Sequence, residues 1–206
     1  MHSKDHWEKV YSAKATTSVS WYQEHAETSL NIIHSTGVGK DAAIIDVGGG
    51  ASTLVDDLLL TGYENLSVLD LSAAALAAAQ KRIGTPSANV TWLKADVTKV
   101  DLPTHHFDVW HDRAVFHFLT TPEDRAAYVA AVLRAVKPGG HVIVATFAED
   151  GPTQCSGLPV MRYRADELHA VFGSSFLLLQ HSNEVHRTPS GTDQKFVYCY
   201  CRKVAS

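Results

Sequence analysis

Four carboxylates and a run of glycines carry most of the chemical potential of this sequence. Asp46 is followed by Gly48-Gly49-Gly50, Asp70 lies twenty residues beyond Gly50, and Asp96 and then His111-Asp112-Arg113 come later. Consecutive glycines let backbone approach a ligand closely and adopt positive φ. A helix beginning just after them offers free N–H groups. A carboxylate at the spacing of Asp70 can accept both hydroxyls of a ribose. Its competing role, capping the next helix, suits Ser72 better. Asp96 can accept from the exocyclic amine of an adenine or cap a turn. The glycines read Gly48-x-Gly50-x-x-Thr53, so the third glycine of the dinucleotide fingerprint is missing. Asp46 would repel a pyrophosphate but suit an ammonium group. The set points to a nucleoside that bears a positive charge.

Those residues need strand ends to hold them. The hydrophobic pattern predicts strands over 42–47, 66–70, 90–95, 107–112 and 141–147, with helices over 53–60, 73–83 and 122–136 between them. Such alternation specifies an α/β fold, a parallel sheet with helices on both faces. Ligands of such sheets bind beyond the carboxyl ends of the strands, where all four acidic clusters fall. Lys137-Pro138-Gly139-Gly140 is expected to stop the long helix. A short helix over 164–172 and two extended runs, 176–186 and 195–202, predict a C-terminal antiparallel hairpin. The stretch 148–163 is expected to be a long irregular loop, a feature that is usually functional. Ahead of the sheet, 7–11 and 22–35 read as helical. Trp7, Tyr11, Trp21 and Tyr22 in that region either pack plainly or form a mobile cover over the cleft. His105-His106 fall at the far end of the sheet, on the surface.

The runs Ile44-Ile45-Asp46-Val47-Gly48-Gly49-Gly50, Val68-Leu69-Asp70-Leu71-Ser72, Lys94-Ala95-Asp96-Val97, Phe107-Asp108-Val109-Trp110-His111-Asp112 and Leu133-Arg134-Ala135-Val136-Lys137-Pro138-Gly139-Gly140-His141 occur in this order. Together they resemble the successive motifs of the class I S-adenosylmethionine-dependent methyltransferases, and the likeness runs from about Trp7 onward. It implies a Rossmann-like seven-stranded, mostly parallel sheet whose last strand runs antiparallel between its neighbours. It implies S-adenosyl-L-methionine as cofactor. Carried over, Gly48, Gly49 and Gly50 face the methionyl part and Asp46 lies near its amino group. Asp70 holds the ribose, Leu71 packs on adenine, and Asp96-Val97 mark the adenine edge. The His111 backbone closes the methionine side, and Trp7 and Tyr11 belong to an N-terminal cover. One unit over 1–206 follows, with a cover over 1–40, a cofactor core over 41–147, and a substrate loop and hairpin over 148–206.

Methyl transfer from a sulfonium is an in-line displacement, so alignment and exclusion of water dominate and a base is optional. Asp112, Arg113 and His117 stand just past the fourth strand and are the candidates to meet the nucleophile. Asp112 could instead cap a helix, and His117 could be a core histidine. Asp112-Arg113 also resembles the Asp-Lys-Gly variant of some lysine-methylating members, with Ala114 in place of the glycine. Trp21, Tyr22, Cys155, Arg162 and Tyr163 are the expected substrate wall, since an arginine there could clamp a carboxylate or simply be solvated. No metal is expected, because His111, Asp112 and His117 match no zinc spacing. A net charge of -4 disfavours nucleic acid, no apolar run is long enough for a membrane span, and residues 1–6 lack a signal-peptide core. Cys155, Cys199 and Cys201 make no disulfide framework, so a reducing, cytoplasmic setting is expected. The expected partner is a small-molecule substrate, and nothing in the residues sets an oligomeric state. Rival readings are a protein lysine methyltransferase, a nicotinamide-dependent oxidoreductase and a non-catalytic binding module.

Overall fold

The computed structural model describes residues 4–13 and 15–205. Met1, His2 and Ser3, which entered the signal-peptide expectation, lie outside them. The first four strands are β1 (Ala43–Val47), β2 (Asn65–Asp70), β3 (Val90–Lys94) and β4 (Phe107–Arg113). They are followed by β5 (Val136–Phe147), the short pair β6 (Gln154–Cys155) and β7 (Leu158–Pro159), and the long β8 (Phe176–Arg187) and β9 (Asp193–Lys203). The main sheet has seven strands in the order β3-β2-β1-β4-β5-β9-β8. The first five are mutually parallel, and β9 runs antiparallel between β5 and β8. The fold class read from the alternation is the fold observed, and so is the inserted last strand that the resemblance implies.

Strand β1 is buried along its whole length, as a central strand covered on both faces must be. Its period of two sends Ile45 and Val47, with Trp110 of β4, into one apolar cluster, and Ile44, with Val109, into another on the opposite face. The same alternation decides the site. Asp46, His111 and Arg113 share the face of Ile44 and Val109, whereas Asp112 shares the face of Trp110.

Helices α1 (Lys4–Ala13), α2 (Glu27–Ser35), α3 (Leu54–Leu60), α4 (Ala73–Ile83), α5 (Pro122–Ala135) and α6 (Ala165–Phe172) complete the fold. Several boundaries differ from the sequence reading. Helix α1 is longer than the stretch 7–11. Helix α2 starts only at Glu27, because the Asp57 carboxylate accepts the Ala26 N–H at 3.2 Å and His25 binds the same group at 2.8 Å. The Lys137-Pro138-Gly139-Gly140 run lies inside β5: the reversal happens at Val136, and Gly139 absorbs the irregularity at φ +77°. The stretch 148–163 is not wholly irregular, since β6 and β7 pair within it.

Helix α1 is seated by a contact the sequence does not announce. Glu8 accepts the Ala73 and Ala74 N–H groups at 2.9 and 3.1 Å and the Ser72 hydroxyl at 3.0 Å, at the N-terminus of α4. Those backbone N–H groups hold its carboxyl below the usual range. The helix N-terminus carries partial positive charge, so an anion belongs there. Glu8→Ala is expected to cost about 1 kcal/mol of stability, as loss of a cap does, and to speed amide exchange through residues 4–13. Unchanged exchange there would show that the aromatic contacts seat α1 by themselves.

Candidate functional site

The chain turns from β1 to α3 through Gly48, at φ +72°. The Gly48 N–H donates to the Leu69 carbonyl at 2.7 Å, and a Cβ at Gly48 would run into Val115. A Cβ at Gly49 would strike the Asp46 carboxylate, and one at Gly50 would strike Asp70 and lie 2.6 Å from the Ala75 methyl. Each glycine therefore clears room for a different neighbour, two of them carboxylates.

Asp70 Oδ2 accepts the Gly50 N–H at 3.0 Å and Oδ1 accepts the Ser72 N–H at 2.8 Å. Burial nonetheless pushes its pKa up to about 6. Asp46 and His111, adjacent in the β1–β4 register, meet through Oδ1 and Nδ1 at 2.7 Å. His111 Nε2 contacts the Ser29 hydroxyl of α2 at 2.8 Å. The second oxygen of Asp46, Oδ2, is buried with no partner. The His111 side chain, not only its backbone, thus belongs to the site.

Two joined chambers lie over this turn. One is lined by Asp70, Leu71, Ala95, Val97, Trp7, Phe118 and Cys155. The other is lined by Asp46, Gly49, Ser29, His111, Tyr22 and Gln23. Tyr11, Gly48, Trp21 and Arg113 line both. Trp21 Nε1 donates to the Tyr11 hydroxyl at 3.1 Å, and the Trp7 ring meets those of Trp21 and Phe118 edge-on at 5.8 and 5.1 Å. Burial raises the Tyr11 pKa, so this hydroxyl stays neutral. His6 Nε2 reaches Ser156 Oγ at 3.3 Å, joining α1 to the β6–β7 turn over the cleft.

Other expected residues lie elsewhere. Asp112 is fully buried and points to the opposite face of the sheet. Its oxygens accept the Val115 N–H at 2.8 Å, the Phe116 N–H at 3.1 Å and the Tyr128 hydroxyl at 2.7 Å. It caps the turn Phe116–Phe118 and cannot meet a nucleophile. His117 is enclosed between Phe118 and Phe147, accepts the Phe147 N–H at 3.4 Å, and is driven down to a pKa of about 3 by burial, then by Arg113. It is a neutral core histidine. Asp96 folds onto its own turn, accepting the Thr98 N–H and hydroxyl at 2.9 and 2.6 Å, while Val97 faces the cleft. Arg162 is exposed and donates to the Gly151 carbonyl, and Tyr163 packs against Phe116 in the core. Cys155 does line the cleft, but burial pushes its thiol up to about 12. His105 and His106 are exposed, as expected.

Burial also raises Asp112, to about 7. A carboxyl held higher in the folded state than in the unfolded one stabilises the fold at low pH, and that contribution fades as pH climbs through the folded value. Between pH 5 and 8 this group should remove about 2–3 kcal/mol of stability. Asp112→Asn, which cannot ionise, is expected to flatten the denaturant-midpoint profile over that window. An equally steep profile in the variant would assign the slope to other groups.

Glu184 and Tyr198 join the site without any local signal in the sequence. Arg113 Nε donates to Glu184 Oε2 at 3.4 Å and to the Tyr198 hydroxyl at 3.2 Å, and Nη1 donates to the Trp21 carbonyl at 3.3 Å. Among the described residues, no group of three or more His, Cys, Asp or Glu could hold a metal ion, and no helix is long and apolar enough to cross a membrane.

A nucleoside with a charged amino-acid arm fits this donor set. Asp70 and the apolar strip Leu71–Val97 suit the nucleoside, and the unsatisfied Asp46 oxygen suits an ammonium. Comparison with known proteins agrees. A family model described as a methyltransferase domain matches residues 44–140. An eEF1A lysine and N-terminal methyltransferase of Mus musculus is 25% identical over 153 residues, 71% of this chain and 22% of that protein. The chain thus spans about a fifth of the length of such relatives. A malonyl-(acyl-carrier protein) O-methyltransferase of Paenibacillus is 31% identical over 129 residues, 59% of this chain and 45% of that one. A solved structure titled for the conversion of a disulfide bond into a thioacetal during echinomycin biosynthesis superposes with a TM-score of 0.74 at 19% identity, covering 98% of this chain and 93% of that one.

Proposed function

We propose that the chain is a class I S-adenosylmethionine-dependent methyltransferase and that it methylates a nucleophile on a small molecule. The observation that carries the substrate class is the closure of the cleft. Helix α1 meets the β6–β7 turn through His6 and Ser156, and Trp7, Trp21 and Phe118 contribute their rings to the same cleft lining as Asp70. A cleft walled by aromatic rings suits a compact acceptor.

S-adenosylmethionine supplies an already activated methyl group. The residues of the chain bind, orient and exclude water. Asp70 accepts the ribose hydroxyls, with its carboxylate already aligned by the Gly50 and Ser72 N–H groups. Leu71 and Val97 take the adenine faces. Asp46, oriented by His111, receives the ammonium on its free oxygen. Trp7, Tyr11 and Trp21 keep solvent from the reacting centre. Neither Asp112 nor His117 takes part in this reading. Residues 41–147 hold the cofactor, 1–40 cover it and 148–206 shape the acceptor side. The three unpaired cysteines fit a reducing, cytoplasmic setting.

A second reading, methylation of a protein lysine, draws support from the eEF1A relatives. Incubating cell lysate with methyl-labelled cofactor separates the two: label on small metabolites supports the first, and label on protein overturns it. Thermal unfolding tests the premise beneath both. S-adenosylhomocysteine should raise the midpoint and NAD should not.

A further inference from the structure

The wall shared by the two chambers poses an electrostatic problem. Tyr11, Gly48, Trp21 and Arg113 line both chambers; with the nucleoside half beside Asp70 and the amino-acid half beside Asp46, the sulfur joining the halves would lie near them. That sulfur is positively charged in the methyl donor and neutral in the demethylated product. The Arg113 guanidinium already places one positive charge there.

Relief comes from the far edge of the sheet. Glu184, on the outer strand β8, pairs with Arg113 at 3.4 Å. The two side chains are only 12% and 9% exposed, so their charges are weakly screened. Glu184 is itself fixed from three sides. Tyr198 donates to it at 2.9 Å, Gln23 at 2.8 Å and Thr28 at 3.4 Å. The guanidinium lies over the Phe196 ring, 4.2 Å from its centroid. Gln23 and Thr28 bring the N-terminal segment to the same carboxylate that steadies the cleft arginine.

We infer that Glu184 is a positioning residue that compensates the charge of Arg113, and that it thereby sets how strongly the site prefers the cationic methyl donor over its neutral product. The inference rests on the methyltransferase reading, but it concerns Glu184, which touches neither chamber. A residue remote from the ligand would then govern product release and donor capture in opposite directions.

Calorimetry on the full chain tests this, with S-adenosylmethionine and S-adenosylhomocysteine titrated separately at one fixed ionic strength. Glu184→Gln keeps the shape and removes the charge. It should weaken the donor about tenfold and the product less than twofold, a change in preference of at least about fivefold, or about 1 kcal/mol. Arg113→Met should move the donor-to-product ratio the opposite way. The double variant should return the ratio close to that of the parent, because the two effects share one cause. A structural role alone would weaken both ligands alike, and equal losses in Glu184→Gln would overturn the inference while leaving the methyltransferase reading intact. Should Glu184→Gln not fold, the sign of the Arg113→Met shift decides: no shift, or one toward the product, overturns it. A parent chain that binds neither ligand would defeat the methyltransferase reading as well.

Discussion

Asp70→Ala should reduce the affinity for S-adenosylhomocysteine at least a hundredfold. Both carboxylate oxygens already accept a backbone N–H, at 3.0 Å from Gly50 and 2.8 Å from Ser72, and their remaining lone pairs suit two ribose hydroxyls. Hydrogen bonds to a charged acceptor contribute about 1.5–3 kcal/mol each, so losing two exceeds a factor of a hundred. The alanine variant also leaves the Gly50 and Ser72 N–H groups without a partner inside the turn. Titration calorimetry reads the loss directly, and an affinity within tenfold of the parent would remove Asp70 from the binding site. The pKa of about 6 adds a second signature. Ligand hydroxyls favour the ionised carboxylate, so affinity should hold steady above pH 7 and decline as the pH falls below about 6. The decline should vanish in the variant.

Asp112→Ala should behave in the contrary manner, with large damage to stability and little to binding. The carboxylate serves the Val115 and Phe116 N–H groups and the Tyr128 hydroxyl, all enclosed. Truncation strands them, at a cost of about 3 kcal/mol. For a chain of this length that lowers the unfolding midpoint by about 6–12 °C. Affinity for S-adenosylhomocysteine per folded molecule should stay within threefold, because Asp112 faces the layer of Trp110 and Tyr128 rather than the cleft. A variant of unchanged midpoint that had lost turnover would restore Asp112 to the chemistry.

Why Asp70 was legible and Asp112 was not comes down to direction. Asp46, the glycines and Asp70 sit where a strand ends in a turn, and spacing along the chain suffices to place them. His111, Asp112 and Arg113 were grouped as one cluster at a strand end. The strand in fact continues to Arg113, and its pleat throws Asp112 to the other side. That information was present in the alternation of Val109, Trp110 and His111. Glu184 and Glu8 were beyond reach for another reason. Glu8 meets Ser72 from 64 positions away and Glu184 meets Arg113 from 71, and no spacing in the sequence separates either from a solvated surface acid. Arg162 and Tyr163 illustrate a third limit. Their loop was rightly located on the cleft side, but which side chains turn inward is set by the β6–β7 pairing and by packing on Phe116. The helix ends within one residue of the expected place, but the strand starts at Val136 rather than His141, because the proline and two glycines that look like a stop lie on a strand that bulges against β4.

The placement of β9 between β5 and β8 bears on how the molecule is made. A ribosome delivers residues 136–147 long before residues 193–203, which must slot beside them. Until then, the nascent polypeptide carries an open, largely apolar strand edge in the middle of what will become its sheet, and β8 has no neighbour to join. Unpaired edges of this kind invite association with other chains. Premature termination anywhere before Asp193 should therefore yield aggregates rather than a smaller working protein. Slow translation of the hairpin would lengthen that exposure, leaving biogenesis dependent on holdase chaperones.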